Sequence, residues 1–187
     1  MPPVAPLSLT LHGVLMQVRQ VGVLLTGASG VGKSELALEL LARGHRLVAD
    51  DATEFSLEYG RLIGRCPPLL RGFIEARSLG ILNAERLYGS QSIIDSTPLD
   101  LTIALDAPKG PSATGLERLS GHRGTRSILG VPITEISIPI RLGHNLAVLV
   151  EAACHDFELR RNGYHADEDM AQRQMEEIRK QDPQPLR

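Results

Sequence analysis

Residues 27–34, Gly27-Ala28-Ser29-Gly30-Val31-Gly32-Lys33-Ser34, satisfy the spacing G-x-x-x-x-G-K-[ST] in full. This loop constrains the fold more than any other feature, because it works only between a buried strand and a helix. Its glycines let the backbone wrap an anion. Successive N–H groups and the helix N-terminus then face the phosphates. Lys33 supplies a movable positive charge near the β and γ phosphates, and the Ser34 hydroxyl is a ligand for Mg²⁺, a hard cation that takes oxygen donors. The flanking residues agree. Val23, Leu24 and Leu25 are consecutive apolar residues, as in a strand buried on both faces. Leu36, Ala37, Leu40 and Leu41 form one stripe, opposite Glu35, Glu39 and Arg43, which predicts a helix over 33–43 stopped at Gly44. The expectation is an α/β domain that binds ATP or a close relative and moves a phosphoryl group.

The rest of the chain is punctuated in the same style. Apolar runs over 9–18, 21–26, 46–49, 101–105 and 131–140 read as strands, and 53–59 with 61–63 as a hairpin closed at Gly60. Residues 69–82 read as irregular or partly stranded, and 83–88 as a helical turn or two. Residues 107–127 are rich in Gly, Pro, Ser and Thr without apolar periodicity, so a long functional loop is expected there. Residues 145–161 form an amphipathic helix with Leu146, Val150, Ala153 and Phe157 on one face. Asp167 is a candidate cap for a last helix, 168–180, with Ala171, Met175 and Ile178 facing inward. The expected organisation is a catalytic domain over 1–166 followed by a C-terminal helix and tail over 167–187.

With 187 residues the chain is long enough for one core. Net charge is −2 and aromatic residues make up 3%, which argues against a nucleic-acid partner or an anionic membrane surface. The start lacks a basic region followed by an apolar stretch, and no apolar run approaches the ~20 residues needed to cross a bilayer, so a cytoplasmic protein is expected. Cys66 and Cys154 lack metal or disulfide spacing and read as reduced structural thiols.

Acids complete the expected site. Asp50 and Asp51 follow the strand after the loop helix, at the carboxyl edge where open α/β sheets bind ligands. One carboxylate could hold Mg²⁺ or its water and the other could take the proton of an attacking hydroxyl. Glu75 is a further possible metal ligand, and Asp106 reads either as a Walker-B-like acid or as a strand terminator. His12, in an apolar strand, reads first as a core histidine. Arg118, His122, Arg123 and Arg126 punctuate the long loop and read either as a solvated, slightly basic surface or as a mobile arm that brings an arginine to the transferring phosphate. Gly143 and Arg141, before the helix at 145, suggest a second anion site.

Several ordered segments resemble the catalytic domain of the HPr kinase/phosphorylase family. They are His12-Gly-Val-Leu, the loop through Glu35, Arg43-Gly-His-Arg-Leu-Val-Ala-Asp-Asp51, Glu75-Ala-Arg-Ser-Leu-Gly80, Glu117-Arg118-Leu119, Ile138-Pro-Ile-Arg-Leu-Gly-His-Asn-Leu-Ala147 and Val150-Glu-Ala-Ala153. The resemblance covers about residues 8–165 and implies a fold related to phosphoenolpyruvate carboxykinase, with a mixed sheet. It implies an Mg-ATP-dependent kinase that phosphorylates a serine of HPr, the phosphocarrier of the sugar phosphotransferase system. It also implies the reverse reaction with inorganic phosphate, releasing pyrophosphate, in a homo-oligomer, usually a hexamer.

By the same resemblance, Lys33 and Ser34 bind phosphate and Mg²⁺, and Glu75 is the second Mg²⁺ ligand. Asp51, with Asp50 beside it, takes and returns the serine proton. His12 lies near the reacting phosphate and Arg118 contacts the transferring group. The stretch 139–144 matches the segment used chiefly for phosphorolysis. The resemblance starts near residue 8, so a short form without the family's N-terminal domain is expected, and the chain departs from the family pattern at Ser78, Asn83 and His144, where the family has Gly, Asp and Arg. A different small P-loop kinase and a non-catalytic nucleotide sensor are the alternatives.

Overall fold

A computed structural model describes residues 8–106, 121–141 and 143–181. The described chain forms an α/β fold around a mixed sheet. The first strands are β1 (Ser8–His12), β2 (Val14–Val18) and β3 (Val21–Gly27), followed by helix α1 (Lys33–Ala42), β4 (Arg46–Ala49), β5 (Ala52–Glu58) and β6 (Arg61–Arg65). Then come β7 (Phe73–Ala76), β8 (Gly80–Asn83), α2 (Ala84–Tyr88), β9 (Ser96–Pro98) and β10 (Leu101–Asp106). The described chain ends with β11 (Arg123–Ile128), β12 (Val131–Pro139), α3 (Leu146–Arg161) and α4 (Ala166–Gln181).

Six strands form the main sheet in the order β11-β12-β10-β3-β2-β4, and four form a second sheet, β1-β5-β6-β9. β10 runs parallel to β3 and β12, while β2 is antiparallel to both β3 and β4. β3, β4 and β10 therefore point the same way. Their carboxyl ends bring the phosphate loop, Asp50 and Asp106 to one edge of the sheet.

The alternation of side chains sorts the main sheet into two cores. Val14, Met16, Val18, Val21, Val23 and Leu25 pack with Leu36, Leu40 and Val150 on the helical side. Leu15 and Leu24 point the other way, into a core with Phe55, Leu62, Leu99 and Ile133 beneath the second sheet. Burial on both faces accounts for the unbroken apolar run Val23-Leu24-Leu25. The stripe expected on α1 is the one buried.

The two sheets are in close contact at Gly22. Its N–H donates to Asp100 Oδ2 at 3.0 Å, its carbonyl accepts from the Asp100 N–H at 2.9 Å, and a Cβ there would overlap the Pro98 carbonyl. Backbone cannot rotate away as a side chain can. Gly22→Ala is therefore expected to lower unfolding stability by about 1–3 kcal/mol, read from the midpoint of a denaturant titration. A midpoint equal to that of the parent would show that this approach is loose.

Three expectations change and one is narrowed. The run 9–18 is two strands in different sheets, because the chain crosses at Gly13, whose N–H donates to the Asp51 carbonyl at 3.0 Å. The stretch 69–82, read as irregular or partly stranded, is partly stranded: it contains an antiparallel ribbon, β7 with β8. Of the loop expected over 107–127, residues 107–120 lie outside the described residues, and residues 123–128 instead pair with β12; β11 is an exposed edge strand and so carries no apolar period. Helix α4 buries no residue. Met175 and Ile178 are exposed, and Asp167 lies inside the first turn, where it accepts from Arg160. Polar pairs, Arg160 with Asp167 and Tyr164 with Asp169, hold its first turn, so its apolar stripe meets no core. No helix among the described residues is long and apolar enough to cross a membrane.

Candidate active site

The loop between β3 and α1 opens into a cavity lined by Ser29, Gly30, Gly32, Lys33, Ser34, Glu35, Asp50, Asp51, Glu75 and Arg77. No side chain caps α1, so its first N–H groups stay available to an anion. Lys33 Nζ donates to the carbonyls of Gly27 and Ala28 at 3.0 and 3.1 Å, folded back over its own loop. Val31 N–H closes the loop onto the Ala28 carbonyl at 3.2 Å.

Asp50 and Asp51 are adjacent in sequence but have different surroundings. Asp50 is buried and accepts from the Ser34 hydroxyl at 3.0 Å and from the Glu75 N–H at 2.9 Å. It thereby joins α1, β4 and β7. Burial pushes its carboxyl above the usual range, and the charge of Asp51 adds to that. The bonds from Glu75 and Ser34 oppose it. Asp51 is the central residue of a tight turn closed by Ala52 N–H to the Asp50 carbonyl at 2.8 Å, with φ at +65°. That conformation is sparsely populated by residues other than glycine, and such strain concentrates at functional sites. Its side chain projects outward.

β1 pairs with β5 from His12↔Ala52 onward. This brings His12 to the Asp51 turn, with Nδ1 3.7 Å from Asp51 Oδ1. His12 is exposed at the rim of the cavity, which rules out the reading of it as a core histidine.

The donors fit Mg²⁺. A hydroxyl (Ser34) and two carboxylates (Asp50, Glu75) line one wall of the cavity. No group of three or more His, Cys, Asp or Glu side chains is placed to hold a metal ion by itself among the described residues. Mg²⁺ in phosphoryl-transfer sites uses one or two carboxylates with phosphate oxygens and water, so such a cluster is unnecessary.

Arg77 was not singled out from the sequence. Its guanidinium lies over Gly30, where any Cβ would collide with it. Only its place two residues after Glu75, at the start of the turn between β7 and β8, could have indicated this. Glu35 also lines the cavity.

Other expected residues stand elsewhere. Asp106 bonds to the Ser137 hydroxyl on β12 and does not line the cavity. Arg123 pairs with Asp156, and Arg126 lies 3.8 Å from Glu135. His122 accepts from Ser137 N–H through its carbonyl. Arg118 lies outside the described residues. The start of α3 is capped by its own Asn145, which accepts from Val148 N–H at 3.2 Å, so part of the proposed second anion site is already satisfied. Asn83 caps α2 by accepting from Arg86 N–H at 3.0 Å, a role that asparagine and aspartate fill equally well. Burial raises the thiols of Cys66 and Cys154 to about 11 and about 12, which leaves both protonated and inert.

The state of Asp50 carries a prediction. Because burial raises its folded pKa, the folded state holds the proton more tightly than the unfolded chain. Ionised Asp50 therefore lowers stability above that folded value, and the deficit vanishes below the ordinary carboxylate range. Asp50→Asn, which keeps an acceptor for Glu75 N–H, is expected to raise the nucleotide-free Tm by a few degrees at neutral pH. The gain should shrink as pH falls, and metal-dependent activity should be lost. A lower neutral-pH Tm would mean that the charge stabilises the empty site.

Comparison with known proteins bears on the same architecture. The HPr serine kinase C-terminal domain model matches residues 5–174. HPr kinase/phosphorylase of Xylella fastidiosa is 48% identical over 156 residues, spanning 82% of this chain and 49% of the relative. That of Neisseria meningitidis is 44% identical over 169 residues, spanning 90% and 53%. The chain thus spans about half the length of the curated relatives it matches. The structure of the HPr(Ser) kinase/phosphatase from Coxiella burnetii superposes with a TM-score of 0.79 at 33% identity, covering 87% of this chain and 98% of the other. With loop, paired aspartates and glutamate-bearing ribbon in place, and with a family match over most of its length, the chain belongs to the HPr serine kinase C-terminal domain family.

Proposed function

We propose that this chain is an Mg-ATP-dependent protein serine kinase acting on HPr or an HPr-like phosphocarrier, and that it reverses the transfer with inorganic phosphate. The observation that carries this reading is the division of labour between the two aspartates. Asp50 is buried against Ser34 and Glu75, while Asp51 stands exposed beside His12 at the mouth of the same cavity. A metal-side carboxylate and a solvent-side carboxylate are what transfer to an incoming hydroxyl needs.

The loop N–H groups and Lys33 hold the β and γ phosphates. Ser34, with Asp50 and Glu75, would hold Mg²⁺, which would supply neutralisation of the charge developing on the phosphates. The serine Oγ attacks the γ phosphorus, the bond from that phosphorus to the β–γ bridging oxygen breaks, and ADP leaves. Asp51 accepts the serine proton, and His12 at 3.7 Å stabilises or relays it. In reverse, phosphate attacks the phosphoserine phosphorus. Asp51 then returns a proton to the departing serine oxygen, and pyrophosphate forms. Positioning and charge neutralisation supply most of the rate. Arg118 is assigned to the transferring group by family resemblance.

The test uses purified full chain, Mg²⁺, labelled ATP and the host's HPr-like carrier with its regulatory serine intact or changed to alanine. Label confined to the intact carrier supports the kinase, and pyrophosphate release on adding phosphate supports the reverse reaction. Nucleotide binding without any labelled carrier would sink the assignment and point to a nucleotide sensor or another acceptor.

A further inference from the structure

The ribbon that carries Glu75 presents an apolar face to solvent beside the cavity. β7 and β8 pair Glu75 with Ile81 and Phe73 with Asn83. Directly paired residues share a face of an antiparallel ribbon, and so do positions i and i+2 of one strand. Phe73, Glu75 and Ile81 therefore project together, while Ile74 turns inward and is buried. Ile81 is 74% exposed, Leu79 at the turn 69% and Phe73 42%. Single exposed apolar residues are ordinary. Three on one short ribbon, around a carboxylate that lines a phosphate cavity, form a patch of the kind that marks an interaction site.

We propose that Phe73, Leu79 and Ile81 form the docking collar for the phosphoryl-accepting protein, and that this protein presents its hydroxyl from a surface ringed by aliphatic or aromatic side chains. The inference rests on the protein-kinase reading above. It follows from the reach of the reaction: the acceptor hydroxyl must come within hydrogen-bond distance of Asp51, at the mouth of the cavity. A protein that offers a hydroxyl from its own folded surface covers the rim around that point, and the β7–β8 ribbon is one wall of the rim. A small-molecule acceptor enters the cavity without covering Leu79 or Ile81. The charged groups of the cavity are engaged by phosphate, metal and proton transfer. Adhesion of the acceptor then falls to apolar burial at the rim, where a few well-packed side chains carry most of an interface.

The experiment compares the full chain with Ile81→Ser, Leu79→Ser and the double variant in steady-state transfer to the carrier. Tyr59→Ser, at the fully exposed β5–β6 turn, is the control. Wild-type labelling of the carrier is scored first; if it is absent, the kinase reading fails, and the collar falls with it. With wild type active, KM for the carrier is expected to rise about tenfold in Ile81→Ser and further in the double variant, with kcat at saturating carrier and nucleotide affinity held. The control should match wild type. An unchanged carrier KM overturns the proposal, as does a parallel loss of nucleotide affinity, which would mean ribbon distortion. A shift to smaller species in sedimentation with carrier KM unchanged also overturns it, and assigns the patch to contact between copies of this chain.

Discussion

Replacing Asp51 by asparagine is expected to slow transfer to the carrier by about 10²–10⁴-fold in a single-turnover assay, the usual contribution of a general base. Nucleotide affinity should hold, because the phosphate contacts come from the loop, Lys33 and the start of α1. The amide matches the carboxylate in shape and cannot take a proton. Asparagine also tolerates the left-handed conformation at this position, so the Asp51 turn should survive and Tm should stay near that of the parent. A rate within a few-fold of wild type would move the proton to His12, 3.7 Å away, or to no protein group at all.

Lys33→Ala is expected to lower kcat/KM for ATP by at least about 10²–10³-fold, the scale for removing one charged donor from a preorganised site. The ammonium donates to two loop carbonyls at 3.0 and 3.1 Å. It must leave them to reach the phosphates, and its loss removes no buried packing. Tm should therefore change little while turnover collapses. Lys33→Arg should fail to rescue, because a planar guanidinium cannot occupy the space of a compact ammonium. Near-normal kcat/KM in Lys33→Ala would mean that the loop N–H groups and metal hold the phosphates unaided.

The legible elements were those whose signal is local. The loop spacing named eight consecutive positions. The stripe Leu36, Ala37, Leu40, Leu41 predicted α1, and the same four residues are buried. β11 was missed because an exposed edge strand carries no alternation, and its sequence Arg123-Gly-Thr-Arg-Ser-Ile128 resembles a loop. The inward face expected on α4 failed for the opposite reason: Met175 and Ile178 have helical spacing, but among the described residues no other element buries them. Periodicity reports which residues share a face, and burial depends on what arrives at that face.

The site divides the same way. His12 gained a role only through family resemblance, and Glu75, a possible metal ligand by residue type, gained its place as the second Mg²⁺ ligand the same way, since spacing marks neither. Local residue order determined the phosphate loop, the helix behind it and the presence of two acids after the next strand, because glycine geometry, helical period and strand length act over a few residues. Tertiary structure alone decided that Asp50 turns inward to meet Ser34 and Glu75, sixteen and twenty-five positions away. It alone decided that the crossing at Gly13 sets His12 beside Asp51, and that Arg77 lies over Gly30. The physical reason is that two identical neighbouring carboxylates acquire different chemistry only from what surrounds them, and strands distant along the chain supply those surroundings.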